Sequence, residues 1–464
     1  MHDIRTLIGK LNFMGSQHAL GRETRKLALR SSALFRKPAA EIRNTLDGIS
    51  RVASFAETEA ESWIDPEDVV AGKSGPFDAC DLRHWLLVAE KAGVPAVPAR
   101  EILSLSEDEI CAIDQKVKAP GFVSRTIKQG MIRAFSGEER AEIDRMGEEI
   151  AAREAQIDPG KISESLFDAM DDVPHDWIVR SNIAGPSTLK AFAGAGVLDD
   201  GKTSWSPGDP ELEIGPGWVR NGNRRRIDAT DKRLVETFAC GHKNRLHYLA
   251  RPWIKAARRA EGPDPHRHGT PFAGKGSWPC EWRVFIEDGR VTGVASYYGW
   301  TGEATPLNAA RALEAAELAQ KMIDAAAAQG LAARFMDLEL ARMKFEEAKQ
   351  SGAAIHEDYR QIFERFPRDG LHCTLDFIEA EGQDGPVMTF LEGGPPHSPL
   401  GGGHPCAFAG NELHPGRGAE CKCEGVALKL MDHVVLADPA TWSHGDTKDR
   451  ILSWEDARVL AANA

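Results

Sequence analysis

The chain has 464 residues with 42% hydrophobic and 27% charged side chains, which is ample apolar area for a folded core and excludes wholesale disorder. Net charge is −13, which argues against a general nucleic-acid coat, and no stretch approaches the ~18 consecutive apolar residues of a membrane span. Eight cysteines are too sparse for a disulfide scaffold.

Charge is unevenly spread. Residues 1–51 hold ten Lys/Arg against four acids. Such a basic arm on an acidic body is either a docking segment for a protein partner or a solvated helical face. The first residues, MHDIRTLIGKLNF, are broken by Asp3, Arg5 and Lys10, unlike a signal peptide, so reduced thiols in a cytoplasmic setting are expected.

In chain order, residues 1–62 read as helical, with Pro38 an interruption. A loop follows around Asp65-Pro66 and Gly72–Pro76, then an amphipathic helix over 80–93 that stops near Gly93. Residues 136–155 read as a charged helix capped by Ser136, and Asp158-Pro159-Gly160 as a break and domain boundary. Trp177–Ser181 reads as a short buried strand. Glu281–Ala295 carries two β-rich runs joined at Asp288-Gly289, a strong hairpin signature. Thr305-Pro306 opens an alanine-rich helix to about Gly330, with Thr as N-cap and Pro at the first helical position. A second charged helix covers about 338–351, and His372–Glu381 with Pro386–Glu392 forms a strand pair around Gln383-Asp384-Gly385. A Gly/Pro-rich loop, Gly393–Gly403, follows.

These elements predict an α+β protein: a mainly helical region 1–160, a body of antiparallel sheets with helices over 161–430, and a tail 431–464 with a short helix.

Gly196-Val-Leu-Asp-Asp-Gly201-Lys202-Thr203 matches the phosphate-loop pattern G-x-x-x-x-G-K-T. Asp199 and Asp200 would repel phosphates, and Ser-Trp-Ser-Pro-Gly cannot start a long helix, so a hairpin turn at Asp200-Gly201 explains the segment better. His404, Cys406, His414, Cys421 and Cys423 fall within twenty residues, which is either a tetrahedral Zn²⁺ site (Cys406, His414, Cys421, Cys423) or incidental thiols beside a glycine-rich loop. Arg224-Arg225-Arg226, just after Asn221-Gly222-Asn223, reads as a solvated turn and does not call for nucleic acid. The loop Gly262–Gly276, holding His266 and His268, is either a lid or an irregular connection.

The remaining chemistry lies in separated pieces. Arg180 sits in a strand-like run and Lys190 follows it in LKAFAG. Arg283 lies in EWRVFIEDG, Asp376 in TLDFIEAEG and Glu392 in FLEGGPP. Cations on early strands and carboxylates on later ones are what a nucleotide–Mg²⁺ site requires, because cations neutralise phosphate oxygens and carboxylates hold the bridging metal. Each residue alone also reads as an ordinary surface charge.

The order WIVRSNIAGPSTLKAFAG, RLHYLARPWI, CEWRVFIEDGRVTGVASYY and TLDFIEAEGQDGPVMTFLEGG resembles an ATP-grasp domain. It is most similar to the phage-associated ATP-grasp clade named for two arginines and a lysine. The resemblance spans about 175–400. It departs from that pattern at Glu392-Gly393-Gly394, where the clade ends Glu-x-Asn, in an extra charged stretch at about 338–366, and in the long N-terminal region.

The resemblance implies an ADP-forming ligase that joins a carboxylate to an amine through an acyl phosphate. It implies Arg180 and Lys190 on ATP phosphates, Arg283 and Lys190 as catalytic groups, and Arg251 as a further ATP or substrate contact. It also implies Mg²⁺ on Asp376 and Glu392, and adenine near Leu249–Trp253. Small-molecule or peptide substrates follow, in a cytoplasmic setting. The alternative is a non-catalytic phage or virion-associated protein on the same scaffold, docking through its basic N-terminus.

Overall fold

The computed structural model describes residues 62–106, 109, scattered positions in 137–152, 155–174, 177–182, 198–199, 204–205, 246–263, 275–297, 304–355, 357–368, 370–396, 423–428 and 451–464. In chain order the elements are α1 (Pro66–Val70), β1 (Gly75–Asp78), α2 (Leu82–Ala92), β2 (Arg100–Leu105), α3 (Pro159–Asp171) and β3 (Trp177–Ser181). Next come β4 (Leu198–Asp199), β5 (Ser204–Trp205), β6 (Leu246–Pro252), β7 (Arg259–Pro263), β8 (Lys275–Pro279), β9 (Glu281–Glu287) and β10 (Arg290–Ser296). They continue with α4 (Pro306–Ala328), β11 (Leu331–Arg334), α5 (Met336–Ser351), α6 (Glu357–Arg365), β12 (Cys373–Gly382) and β13 (Gly385–Gly394). The last are β14 (Gly425–Ala427), β15 (Ile451–Leu452) and α7 (Trp454–Ala461). The architecture is α+β. No helix among the described residues is long and apolar enough to cross a membrane.

The described residues fall into two compact units that interleave along the chain. One draws on 100–193 and 219–250. It holds a three-stranded sheet, β2-β6-β3, with β2 and β6 antiparallel from Arg100↔Ala250 to Leu105↔Leu246. Helix α3 packs against β2. Asp158, expected at a break, instead opens this helix, because its side chain accepts from the Gly160 N–H and Pro159 fits the first turn.

The second unit draws on 64–99 and 251–464, with part of 194–218. Its centre is a six-stranded sheet ordered β13-β12-β9-β10-β14-β15. The strands β13 to β10 run antiparallel, while β14 joins β10 in parallel. Local chemistry sets the two hairpins. Asp288 and Gly289 have φ of 49° and 71°, the left-handed pair that a tight hairpin needs. Gly382↔Gly385 closes the β12–β13 turn.

Helix α4 covers one face of this sheet. Thr305 caps it through the Asn308 N–H at 3.2 Å, with Pro306 in the first turn. Its buried residues Ala309, Ala312, Ala316, Ala319, Ile323 and Ala326 alternate steps of three and four, one helical stripe. Small side chains on that stripe let the helix approach the strands closely. Helix α2 also packs against β13, and its Trp85 indole lies over Gly393, where an added Cβ would come within 2.0 Å of Nε1.

The region expected to be mainly helical also contributes strands. Strand β1 pairs in parallel with β11, Gly75↔Leu331 to Asp78↔Arg334. This pairing joins segments far apart in the sequence, so no local periodicity announces it.

Candidate functional site

Three of the sequence-selected residues stand in one row across adjacent strands. Asp376 on β12 is directly opposite Arg283 on β9 and, on its other side, Glu392 on β13. The Arg283 guanidinium grips Asp376 with a two-pronged fork, Nε donating to Oδ1 and Nη2 to Oδ2, each at 2.8 Å. It also lies over the Tyr297 ring, 4.6 Å from the centroid. Asp376 is 4% exposed and Glu392 6%. The β12–β13 register shifts just beyond the row, between Asp376 and Phe377, a bulge of the kind that re-aims side chains.

Directly opposed carboxylates repel, and burial strengthens the repulsion. The Arg283 fork on Asp376 offsets part of it. Mg²⁺ takes oxygen ligands, commonly one or two carboxylates with the rest from phosphates and water, so the Asp376–Glu392 pair fits it. Among the described residues no group of three or more His, Cys, Asp or Glu could hold a metal, so any ion here would complete its shell from a ligand.

Arg251 closes β6 and is 3% exposed, with Nη1 donating to the Leu391 carbonyl at 3.0 Å. It is thereby tied to the residue before Glu392. Arg180 lies on β3, 4% exposed, in the other unit. Lys190, Cys406, His414 and Cys421 lie outside the described residues, as do Arg224–Arg226, His266 and His268. Cys423 is described as a buried thiol.

The phosphate-loop look-alike contains β4 and is followed by β5, paired Leu198↔Trp205 and Asp199↔Ser204, in keeping with a hairpin. Across the loop Gly262–Gly276, β7 and β8 pair antiparallel out to Pro263↔Lys275.

The sequence reading missed a second buried charge on the opposite face of the sheet. Glu379 is 1% exposed. Arg258 donates to it twice, at 3.0 and 2.7 Å, and Trp282 Nε1 once, at 3.0 Å. Arg258 also reaches Asn308 on α4, and Arg311 of the same helix stands 3.7 Å from Glu379. This network pins α4 to the sheet directly behind the Arg283 row. A carboxylate inside the otherwise buried run of β12 was its only signal. Nearby, burial pushes the Cys280 thiol up to about 11, with Arg258 pulling the other way, so it is no ready nucleophile.

Comparison with protein-family models, with curated proteins and with solved structures finds no match.

Proposed function

We propose that the protein is an ATP-dependent carboxylate–amine ligase of ATP-grasp type, acting in the cytoplasm through an acyl phosphate. The observation that carries this reading is the row Arg283–Asp376–Glu392, an arginine and two buried carboxylates aligned across three strands. The substrate carboxylate attacks the γ-phosphorus of ATP and ADP leaves. The amine nitrogen then attacks the acyl carbon, phosphate leaves, and the nitrogen loses a proton. The first step brings two anions together, which demands positive charge at the γ-phosphate.

In this reading Asp376 and Glu392 hold Mg²⁺, whose chemistry is to draw charge from the phosphate oxygens. Arg283 sits beside them and serves the γ-phosphate or the acyl phosphate, exchanging part of its hold on Asp376 for phosphate oxygens. The resemblance assigns Arg180 and Lys190 to the other ATP phosphates and the adenine to Leu249–Trp253. Arg251 is a positioning residue, since its bond to Leu391 holds the strand that carries Glu392.

One observation favours a second reading. The fork on Asp376 is complete without any ligand, as in a structural ion pair. That suits a non-catalytic phage or virion-associated protein that keeps the scaffold.

Mg-ATP turnover, read as ADP release with amino-acid and peptide substrates, separates the two. The ligase reading expects turnover in the wild type and its loss in Asp376→Asn and Lys190→Ala, with circular dichroism unchanged. Full turnover in both variants overturns the site assignment, and none in the wild type turns the balance to the structural reading.

A further inference from the structure

The Arg283 row has a fourth member, Tyr297, to which the ligase reading gives no role. Arg283 stands opposite Ala295 across the β9–β10 pair, and Tyr297 follows Ala295 by two residues. That spacing returns the tyrosine to the same face of the sheet, diagonal to Arg283. The Arg283 Cζ lies over the ring, 4.6 Å from its centroid. Tyr297, Arg283, Asp376 and Glu392 therefore follow one another across the end of β10, β9, β12 and β13. Two bonds fix where the ring stands. The Tyr297 N–H donates to the Glu281 carbonyl at 2.8 Å, which carries the ladder one residue past β10. The hydroxyl of Ser296, a buried neighbour, donates to the Leu428 carbonyl at 3.2 Å.

The two grips on Arg283 differ in kind. The Asp376 fork takes two donors, Nε and Nη2, along one edge of the guanidinium. The ring attracts the cation as a whole through the negative face of its π system, whichever partner the edge holds. An arginine held by the fork alone is released when the fork opens. One that also rests on a fixed ring keeps its place while its edge changes partners. The γ-phosphate step needs this, because Arg283 there exchanges part of its hold on Asp376 for phosphate oxygens.

We propose that Tyr297 is a positioning residue, whose ring keeps the Arg283 guanidinium over the row while phosphate oxygens replace Asp376 at its edge. The role rests on the ligase reading; the grip of the ring on the arginine does not. The ring face carries the role, so phenylalanine should serve in its place and an aliphatic side chain should not.

The test is side-chain NMR on the full chain with isotope-labelled arginine, the Arg283 Nε–H resonance being assigned by its loss in Arg283→Lys. Arg258, whose Nε–H donates to Glu379 on the opposite face, is the internal control for intact packing. In Tyr297→Leu the Arg283 Nε–H should exchange with solvent about threefold to tenfold faster than in the wild type, with Arg258 unmoved. Tyr297→Phe should keep the wild-type rate. A wild-type rate in Tyr297→Leu, or the same acceleration in Tyr297→Phe, overturns the grip of the ring. Should Tyr297→Leu disturb Arg258 as well, Tyr297→Met, closer in bulk, decides. Titration with Mg²⁺ and a non-hydrolysable ATP analogue then tests the exchange. Wild type and Tyr297→Phe should bind alike, with a shifted Arg283 resonance, and Tyr297→Leu about threefold to tenfold more weakly. Equal affinity in all three overturns the positioning role and leaves the ligase reading standing. A wild-type Arg283 resonance that ignores the nucleotide contradicts the ligase reading itself, and the positioning role with it.

Discussion

Replacing Arg283 with Met tests the electrostatics of the row. Met keeps the bulk and removes the fork, leaving Asp376 and Glu392 opposed at 4% and 6% exposure. Removing one partner of a buried pair costs about 3–5 kcal/mol, chiefly because the other charge is stranded. Like charges facing each other across strands add up to about 1 kcal/mol. Asp376→Asn has a different outcome. It removes one of the two repelling charges and keeps an acceptor for Arg283, so the loss is that of a charged hydrogen bond, about 1–3 kcal/mol. The arginine variant should therefore be the less stable by about 2 kcal/mol. Urea unfolding followed by tryptophan fluorescence at neutral pH reads the difference as a shift in midpoint at constant slope. Magnesium adds a second readout, since a divalent cation should stabilise the Asp376 carboxylate freed in Arg283→Met more than it stabilises the wild type. Equal costs for the two variants, or the larger cost in Asp376→Asn, would refute the picture of a buried Asp376 held by Arg283 beside the like charge of Glu392.

Other variants probe what holds the row in place. Gly393→Ala drives a Cβ into the buried Trp85 indole and strains its hydrogen bond to the Ala79 carbonyl, so a loss of about 1–3 kcal/mol or more is expected in thermal unfolding. Glu379→Ala strands Arg258 and the Trp282 N–H behind the sheet and should cost about 3–5 kcal/mol, with faster amide exchange in β12 and α4. His372 predicts a pH dependence. Its Nδ1 accepts from the Asp288 N–H and its Nε2 bonds the Pro367 carbonyl, partners that require the neutral ring with the proton on Nε2. Burial lowers its pKa, so the unfolded chain binds the proton more tightly. Stability is then full above the unfolded value, about 6.5, and falls as pH drops toward the folded one. His372→Asn should flatten that slope, and an unchanged slope would contradict the assignment.

Much of the fold was legible because it is written in short-range chemistry. The Asp288-Gly289 turn, the Thr305-Pro306 cap and the Gly93 stop each act within a few residues, and the structure has hairpin, helix and helix end at those places. Pairings between distant segments were not legible. Strand β1 finds β11, and β14 finds β10, through hydrogen bonds that leave no periodic trace. For the same reason the sequence could select Arg283, Asp376 and Glu392 by type and order but could not align them. A one-residue slip in β12 would turn Asp376 to the opposite face. Glu379 was passed over because a single acid in a strand reads as solvent-facing until both faces are known to be covered.

The most direct measurement is calorimetric titration with a non-hydrolysable ATP analogue, with and without Mg²⁺, on the wild type and Asp376→Asn. The account predicts Mg²⁺-dependent binding in the wild type that is lost in the variant. No binding at millimolar nucleotide, or binding that ignores both Mg²⁺ and Asp376, would contradict it.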